Sequence, residues 1–173
     1  MKTLTATGLA ICLATGLAHA QDTNLLFGST SASSSHYGYI VAVGQLINEK
    51  VDGIRTSVVE TGAALDNIRR IERGQLDLGI VTTNVAQHAV AGTNDFEGRP
   101  QDLRLLWVYT GAPQNVVVRA DSGVDSLDGL AGARFNPGIR GSATETTTEA
   151  VFDTLGLSSE IVRGSTTDIA DAI

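Results

Sequence analysis

The chain has 173 residues, of which 42% are hydrophobic, 5% aromatic and 18% charged, and its formal net charge is −7. This composition is typical of a soluble globular protein of one domain or of one and a half small ones. The excess of acid, without a basic cluster, argues against a nucleic-acid partner and against docking on an anionic membrane surface.

Residues 1–20 have the pattern of a secretory signal peptide. Lys2 gives a basic start, residues 4–18 are apolar or small, and Ala18-His19-Ala20 matches an A-x-A cleavage site. The pattern predicts export to the periplasm and cleavage near Ala20. The only cysteine, Cys12, lies inside this segment, so the mature chain is predicted to contain neither a disulfide nor a thiolate metal ligand.

Short apolar runs then alternate with apolar residues at helical spacing. Strands are predicted over residues 25–27, 55–59, 78–81 and 103–109. The helices between them are marked by Ile40, Val43 and Ile47, by Leu65, Ile68 and Ile71 with a stop at Gly74, and by residues 85–90. Repeated β-α-β units of this kind predict an α/β fold with mainly parallel sheets and helices on both faces.

Glycine and proline at residues 111–113 interrupt this alternation of strands and helices. We therefore interpret residues 21–112 as a first α/β lobe and residues 113–173 as the start of a second. The second lobe is predicted to contain a strand over residues 116–118, a helical turn over 126–130, a strand over 134–136, a helix from a capping box at Ser142 to Leu155, and a helix over 167–173. About sixty residues are fewer than the first lobe needs, so we expect a fragment whose C-terminal part is missing.

Polar loops follow three of the predicted strands, and a fourth opens the helix of the second lobe. In a parallel sheet such strand ends lie at one edge, where ligands bind, and helix N-termini there favour an anion. Polar residues cap helices for purely structural reasons too, so the prediction depends on the four loops together. The predicted ligand-binding residues are Ser29, Thr30, Ser35, His36, Tyr37, Thr61, Thr82, Thr83, Asn84, Arg140, Ser142 and Thr144.

Signatures of catalysis and of metal binding are missing from the sequence. It contains no G-x-S-x-G, H-E-x-x-H, Walker or G-x-G-x-x-G motif. His36 and His88 lie far apart and have no ligand-like neighbours, so we predict no metal site, no cofactor and no enzyme. Arg140 is suited to pair with a ligand carboxylate through both guanidinium nitrogens, or to be a solvated loop arginine.

Several stretches together resemble the solute-binding subunit of TRAP transporters of the TAXI type (TRAP-associated extracytoplasmic immunogenic protein). The matching stretches are residues 34–39, 59–63, 67–70, 74–83, 119–124 and 138–145. The resemblance implies a two-lobed periplasmic binding protein, type II-like, with a hinged cleft. It also implies integral-membrane TRAP permease subunits as partners, an ion gradient as driving force, and glutamate-like amino acids, oxo-acids or dicarboxylates as solutes. The family more commonly has two tyrosines, proline and glycines where this chain has residues 36–40.

These features predict an extracytoplasmic protein that captures a small polar or anionic solute for a TRAP-type secondary transporter. Two other classes stay open on the same scaffold: a secreted α/β enzyme and a ligand-sensing module. The fold alone does not separate them, because one scaffold carries many functions. A neighbouring permease gene would favour transport, turnover of a ligand would favour an enzyme, and a neighbouring histidine kinase would favour sensing.

Overall fold

The computed structural model describes residues 23–165, 167, 168 and 170. In chain order its elements are β1 (Thr23–Gly28), α1 (Ser35–Lys50), β2 (Ile54–Val59), α2 (Ala64–Glu72), β3 (Leu78–Gly79), α3 (Thr83–Ala91), β4 (Arg134–Phe135), α4 (Ala143–Leu155) and β5 (Glu160–Ile161). Single turns of 3₁₀ helix cover Asn94–Phe96 and Leu127–Leu130. The predicted signal peptide and most of the helix predicted over 167–173 lie outside the described residues. The predicted α/β class with parallel sheets is confirmed.

The main sheet has the strand order β2-β1-β3, and both pairings are parallel. Strand β2 pairs with β1 over six residues, whereas β3 pairs with β1 only at Leu78 and Gly79. The chain moves from β1 to β2 on one side of the sheet and then crosses to β3 on the other. In sheets of this order the carboxyl ends of β1 and β3 form the switch point where ligands bind.

Helix α1 covers β2 and begins at a side-chain cap. The Ser34 hydroxyl accepts a hydrogen bond from the Tyr37 N–H at 3.1 Å, which satisfies one of the free donors of the first turn. Gly44 lies on the buried face of α1, and the buried Thr56 hydroxyl of β2 donates to its carbonyl at 3.0 Å. A Cβ at Gly44 would lie 2.9 Å from that hydroxyl oxygen, so the close packing of helix and strand depends on this glycine.

Helices α2 and α3 enclose the main hydrophobic core of the described residues. Its buried members come from both helices and from the following 3₁₀ turn: Ala64, Leu65, Ile68, Val85, Ala89 and Phe96. Gly74, with φ +66°, follows the end of α2 as the sequence predicts, and Gly92 closes α3 in the same left-handed conformation.

The second part of the chain builds a smaller α/β unit. Strands β4 and β5 pair in parallel, and Phe135 of β4 packs on Phe152 of α4 with ring centroids 5.2 Å apart. Helix α4 starts at the predicted cap Ser142 and ends at the predicted stop, Gly156, with φ +66°. The sequence analysis missed β5.

The strands predicted over residues 103–109 and 116–118 are not formed in the structure, and the prediction is wrong for the described residues. Their apolar side chains face solvent: Leu105 is 75% exposed and Val117 80% exposed. A strand needs a hydrogen-bonding neighbour, and no described segment exchanges backbone hydrogen bonds with either run. The apolar composition of these segments is compatible with strand pairing, but a strand forms only where a neighbouring strand is present.

In the 173-residue chain we expect trypsin to cut first after Arg104 and Arg119. No backbone N–H of residues 102–118 donates a hydrogen bond within the part of the chain that the structure describes, so this segment enters a protease without unfolding. Arg70, in the middle of α2, should be cut at least about tenfold more slowly. Timed digestion read by intact mass tests this, and equal rates at Arg70 and Arg104 would contradict the described fold.

Candidate functional site

The ends of the three sheet strands are tied together just beyond the ladder. The Ser29 N–H donates to the Val59 carbonyl at 3.0 Å, and the Ile80 N–H donates to the Gly28 carbonyl at 3.1 Å. The loops that follow β1, β2 and β3 therefore start side by side at one edge of the sheet. This is the arrangement that the sequence predicted for the first three candidate loops.

Two buried side chains converge on the carbonyl oxygen of Ser29. The Thr61 hydroxyl donates to it at 2.7 Å, and the Asn67 side-chain amide donates to it at 2.8 Å. The same amide nitrogen donates to the Ile80 carbonyl at 2.8 Å. Ser29 and Asn67 are fully buried, and neither Ser29 Oγ nor Asn67 Oδ1 has a hydrogen-bond partner among the described residues.

The first loop is filled with hydroxyl groups that contact one another. Thr30 and Ser34 share a short hydrogen bond, Ser31 and Ser33 share one at 3.0 Å, and Glu60 accepts the Ala32 N–H at 2.7 Å. Since α1 begins at Ser35, the predicted ligand residues Ser35, His36 and Tyr37 lie in its first turn rather than in the loop.

An aromatic cluster connects the start of α1 with the extended segment 103–109. Tyr109 stacks on Tyr39 with centroids 4.2 Å apart and shares a hydrogen bond with His36 Nδ1. Trp107 donates to the Tyr39 hydroxyl at 3.0 Å and meets Phe27 edge-on at 6.0 Å. Burial, and secondarily the nearby Tyr39, raises the pKa of Tyr109 above 10.0, so its hydroxyl is protonated at neutral pH and can donate to His36.

The third loop connects to the second part of the chain through a side chain. Thr82 precedes α3 without capping it, and its hydroxyl donates instead to Asn84 Oδ1 at 2.6 Å. The Asn84 amide donates to the Thr147 hydroxyl of α4 at 3.3 Å. Thr83 is exposed. These contacts leave the first-turn N–H groups of α3 without a side-chain cap among the described residues.

The fourth loop, residues 137–142, is held from both sides. The Leu65 N–H of α2 donates to the Gly141 carbonyl at 3.2 Å, and Glu145 of α4 accepts the Gly141 N–H at 2.6 Å. Ser142 Oγ accepts the Glu145 N–H at 3.2 Å, which is one half of the predicted capping box. The reciprocal bond does not form, because the Ser142 N–H donates to the Ile139 carbonyl. Glu145 is buried and forms an ion pair with Arg163. The loop thus reaches the N-terminus of α2, next to the second loop.

Arg140 is exposed, and it makes no hydrogen bond or ion pair with any residue that the structure describes. Its neighbours explain this, because Glu145, the closest acid along the loop, is taken by Gly141 and Arg163. The guanidinium of Arg140 therefore retains all of its donors for an external group.

The twelve predicted residues lie on the four joined loops or in the first turns of the helices that follow them, but they differ in accessibility. Ser29, Thr61 and Ser142 are buried; the Thr61 and Ser142 hydroxyls hold backbone groups in place, whereas Ser29 Oγ has no partner among the described residues. Those at least partly exposed are Thr30, Ser35, His36, Tyr37, Thr82, Thr83, Asn84, Arg140 and Thr144. Asn67 and Glu145 were not among the predicted site residues. The sequence pattern could have identified Asn67, because it is a polar residue on the apolar stripe of α2 that Ala64, Ile68 and Ile71 form.

Asp66 at the start of α2 orders the second loop. Its carboxylate accepts the Gly62 N–H at 3.0 Å and the Arg70 side chain at 2.9 Å. Burial alone would raise the pKa of Asp66, but the hydrogen bonds from Arg70 and Gly62, with the charges of Arg70 and Arg73, outweigh it and lower the pKa below 3.8.

We expect Asp66→Asn to remove a pH-dependent part of the stability. A lowered folded-state pKa stabilises the fold above pH 3.8, and this stabilisation is lost as the pH falls through the folded-state pKa. The variant should be less stable by about 0.3–1 kcal/mol at pH 7, as for a solvent-screened pair. Urea unfolding over a series from pH 7 downwards should show the difference decreasing once the pH falls below 3.8. Asp52→Asn, at an exposed turn, should show no such change, and a constant difference for Asp66→Asn would contradict the expectation.

An open groove of about 850 Å³ lies between α3 and α4. Asn84 is the only predicted ligand residue that lines it; the rest of its wall includes His88, Thr147, Glu149 and Leu155. Its walls mix apolar, acidic and threonine side chains, and it lies apart from the other predicted ligand residues. Among the described residues, no group of three or more His, Cys, Asp or Glu side chains could hold a metal ion, and no helix is long and apolar enough to cross a membrane.

A parallel sheet with polar loops gathered at its carboxyl edge is the arrangement that α/β proteins use to bind small ligands. The sequence profile described as NMT1-like family matches residues 27–173. The chain therefore belongs to the NMT1-like family, a family of the periplasmic binding-protein type. This is a family of binding proteins rather than enzymes, and its members are typically extracytoplasmic.

Proposed function

We propose that this protein captures a small anionic solute outside the cytoplasm and delivers it to a TRAP-type secondary transporter. The observation that carries the proposal is the joining of four polar loops at the carboxyl edge of the parallel sheet, through bonds such as Leu65 N–H to the Gly141 carbonyl. Membership of a binding-protein family supports the same conclusion.

The charge of the solute is inferred from the helix N-termini that no acidic side chain of the protein occupies. Asp66 and Glu145 already accept the N–H groups at the entries of α2 and α4. Helices α1 and α3 have no acidic residue in their first turns, and α3 has no side-chain cap. Their positive ends, with the unpaired Arg140, favour a carboxylate. Candidate solutes are glutamate-like amino acids, oxo-acids and dicarboxylates, as the TAXI-type resemblance implies.

The contacts to the solute come from the accessible members of the predicted set. Thr83 and Asn84 offer first-turn groups of α3, and Thr144 and Arg140 offer donors from the fourth loop. Thr61 and Ser142 are buried and instead fix the backbone through hydrogen bonds to the Ser29 carbonyl and the Glu145 N–H, and Ser29 supplies that carbonyl. The predicted ligand residues thus divide into contacting and supporting groups.

The two-lobed arrangement is part of the proposal. Residues 21–112 and 113–173 are taken as parts of two lobes with a hinge near residues 111–113. The exposed apolar segments 103–109 and 116–118 flank that hinge, and their exposure supports pairing with strands beyond the described residues. Export with cleavage near Ala20, and the integral-membrane TRAP permease subunits as partners, are proposed on the leader pattern and on the TAXI-type resemblance.

Mass spectrometry of small molecules that co-purify with the exported protein, followed by calorimetry, tests this function. We expect an anionic solute that binds with one-to-one stoichiometry and is recovered chemically unchanged. A converted solute would favour the secreted enzyme. A neutral or cationic solute would contradict the electrostatic basis of the proposal. If the protein binds the solute but cells that lack the protein take up the solute at the normal rate, a sensing module would be favoured.

A further inference from the structure

The spacing between the first and third loops is held by backbone hydrogen bonds and by one buried side chain. Strand β3 pairs with β1 at only two residues, flanked by bonds from the Asp77 and Ile80 N–H groups to the Leu26 and Gly28 carbonyls. Beyond the ladder, the Asn67 amide donates to the carbonyl of Ser29 at 2.8 Å and to that of Ile80 at 2.8 Å. One NH₂ group therefore joins the start of one loop to the start of the other.

The Asn67 side chain packs closely against two glycines of the sheet. A Cβ at Gly28 would lie 2.5 Å from Asn67 Oδ1, and a Cβ at Gly79 would lie 2.9 Å from Asn67 Cβ. The two glycines thus open the space between β1 and β3 that the side chain fills. The orientation of the amide is also fixed, because only its NH₂ end can donate to two carbonyl groups.

We propose that Asn67 is a positioning residue for the solute site: it sets the distance between the loop after β1 and the loop before α3 without touching the solute. The inference rests on the proposed function for its consequence in binding, but its structural part stands alone. Asn67 is fully buried, so it has no surface to offer a ligand. Its effect on affinity is indirect, through the α1 and α3 N-termini that the two loops precede.

Thr61 provides a contrast, since its hydroxyl donates to the Ser29 carbonyl and accepts the Ala63 N–H, but makes no hydrogen bond to the third loop. Thr61→Val should loosen the first and second loops and leave the third unchanged, whereas Asn67→Ala should loosen the first and the third together. Ile68→Ala removes a larger fully buried side chain from the same turn of α2, but no hydrogen bond to either loop. This variant controls for general loss of stability.

Amide hydrogen exchange on the solute-free full chain tests the proposal. In Asn67→Ala, exchange in residues 29–34 and 80–84 should rise together by roughly tenfold or more, the effect of losing one or two hydrogen bonds. Ile68→Ala should instead raise exchange in the α2–α3 core. If either loop of the Asn67→Ala variant exchanges at the wild-type rate, the proposal is overturned. Should Asn67→Ala fail to fold, Asn67→Ser is measured in its place and judged by the same two loops.

Calorimetry with L-glutamate and succinate then tests the consequence for binding. Asn67→Ala should weaken binding about tenfold, with Ile68→Ala close to wild type. Equal affinity in Asn67→Ala and wild type would overturn the positioning role. If the wild-type protein binds no carboxylate, the proposed function fails, while the exchange data still decide whether Asn67 couples the two loops.

Discussion

Gly28→Ala is expected to lower the free energy of unfolding by about 1–3 kcal/mol, the usual cost of overpacking a buried site. The added Cβ would lie 2.4 Å from Leu76 Cδ1 and 2.5 Å from Asn67 Oδ1. Both neighbours are buried, and Asn67 cannot shift without losing its bonds to Ser29 and Ile80. Urea unfolding followed by circular dichroism measures the change.

Gly38→Ala is the matched control, because a Cβ there meets nothing within 4 Å. Gly38 lies inside α1, where alanine is the better helix former, so this variant should be more stable by up to about 1 kcal/mol. The same substitution is thus expected to have opposite signs at the two sites. Equal stability of Gly28→Ala and wild type would mean that β1, α2 and Leu76 do not pack as described.

Arg140→Ala is expected to weaken solute binding about ten- to a hundredfold. A hydrogen bond from a charged group contributes roughly 1.5–3 kcal/mol, and 1.4 kcal/mol corresponds to one decade. The net charge of −7 does not cancel this attraction, since charges beyond about 8 Å are largely screened at physiological salt. Calorimetry with the co-purified solute gives the two dissociation constants.

Arg99→Ala is the control for that measurement. Arg99 is also exposed, and its side chain makes no hydrogen bond or ion pair within the described ranges, but it lies away from the four loops. The Arg99→Ala variant should bind the solute with the affinity of the wild type. If Arg140→Ala also binds normally while Ser142→Ala does not, the entry of α4 holds the anion and Arg140 is only solvated.

Elements specified by local chemistry were predicted well. The Ser142 cap of α4, the glycine stops at Gly74 and Gly156 and the apolar spacing of α2 depend on residues within a few positions of one another. For the same reason the strand ends and the loops that follow them could be located, and a parallel sheet then brings those loops to one edge.

Features that depend on distant partners could not be predicted. Strand β5 has only two residues, and it exists because Phe135 and its neighbour offer a pairing edge. Conversely, residues 103–109 have strand-like composition but no partner in the described part of the chain. The division of the candidate site into buried and accessible residues also escaped prediction. Thr61 and Thr83 are the same residue type in similar loops, and only the fold decides that one donates to Ser29 while the other faces solvent.

The central claim is that a carboxylate solute binds at the four joined loops, and amide chemical-shift mapping tests it most directly. The ¹⁵N-labelled mature protein is titrated with the co-purified solute, or with L-glutamate if none is retained. We expect the largest shifts in residues 29–37, 60–62, 82–84 and 138–144, and we expect them to saturate together. Shifts confined to the groove between α3 and α4, or no shift with any carboxylate, would contradict it.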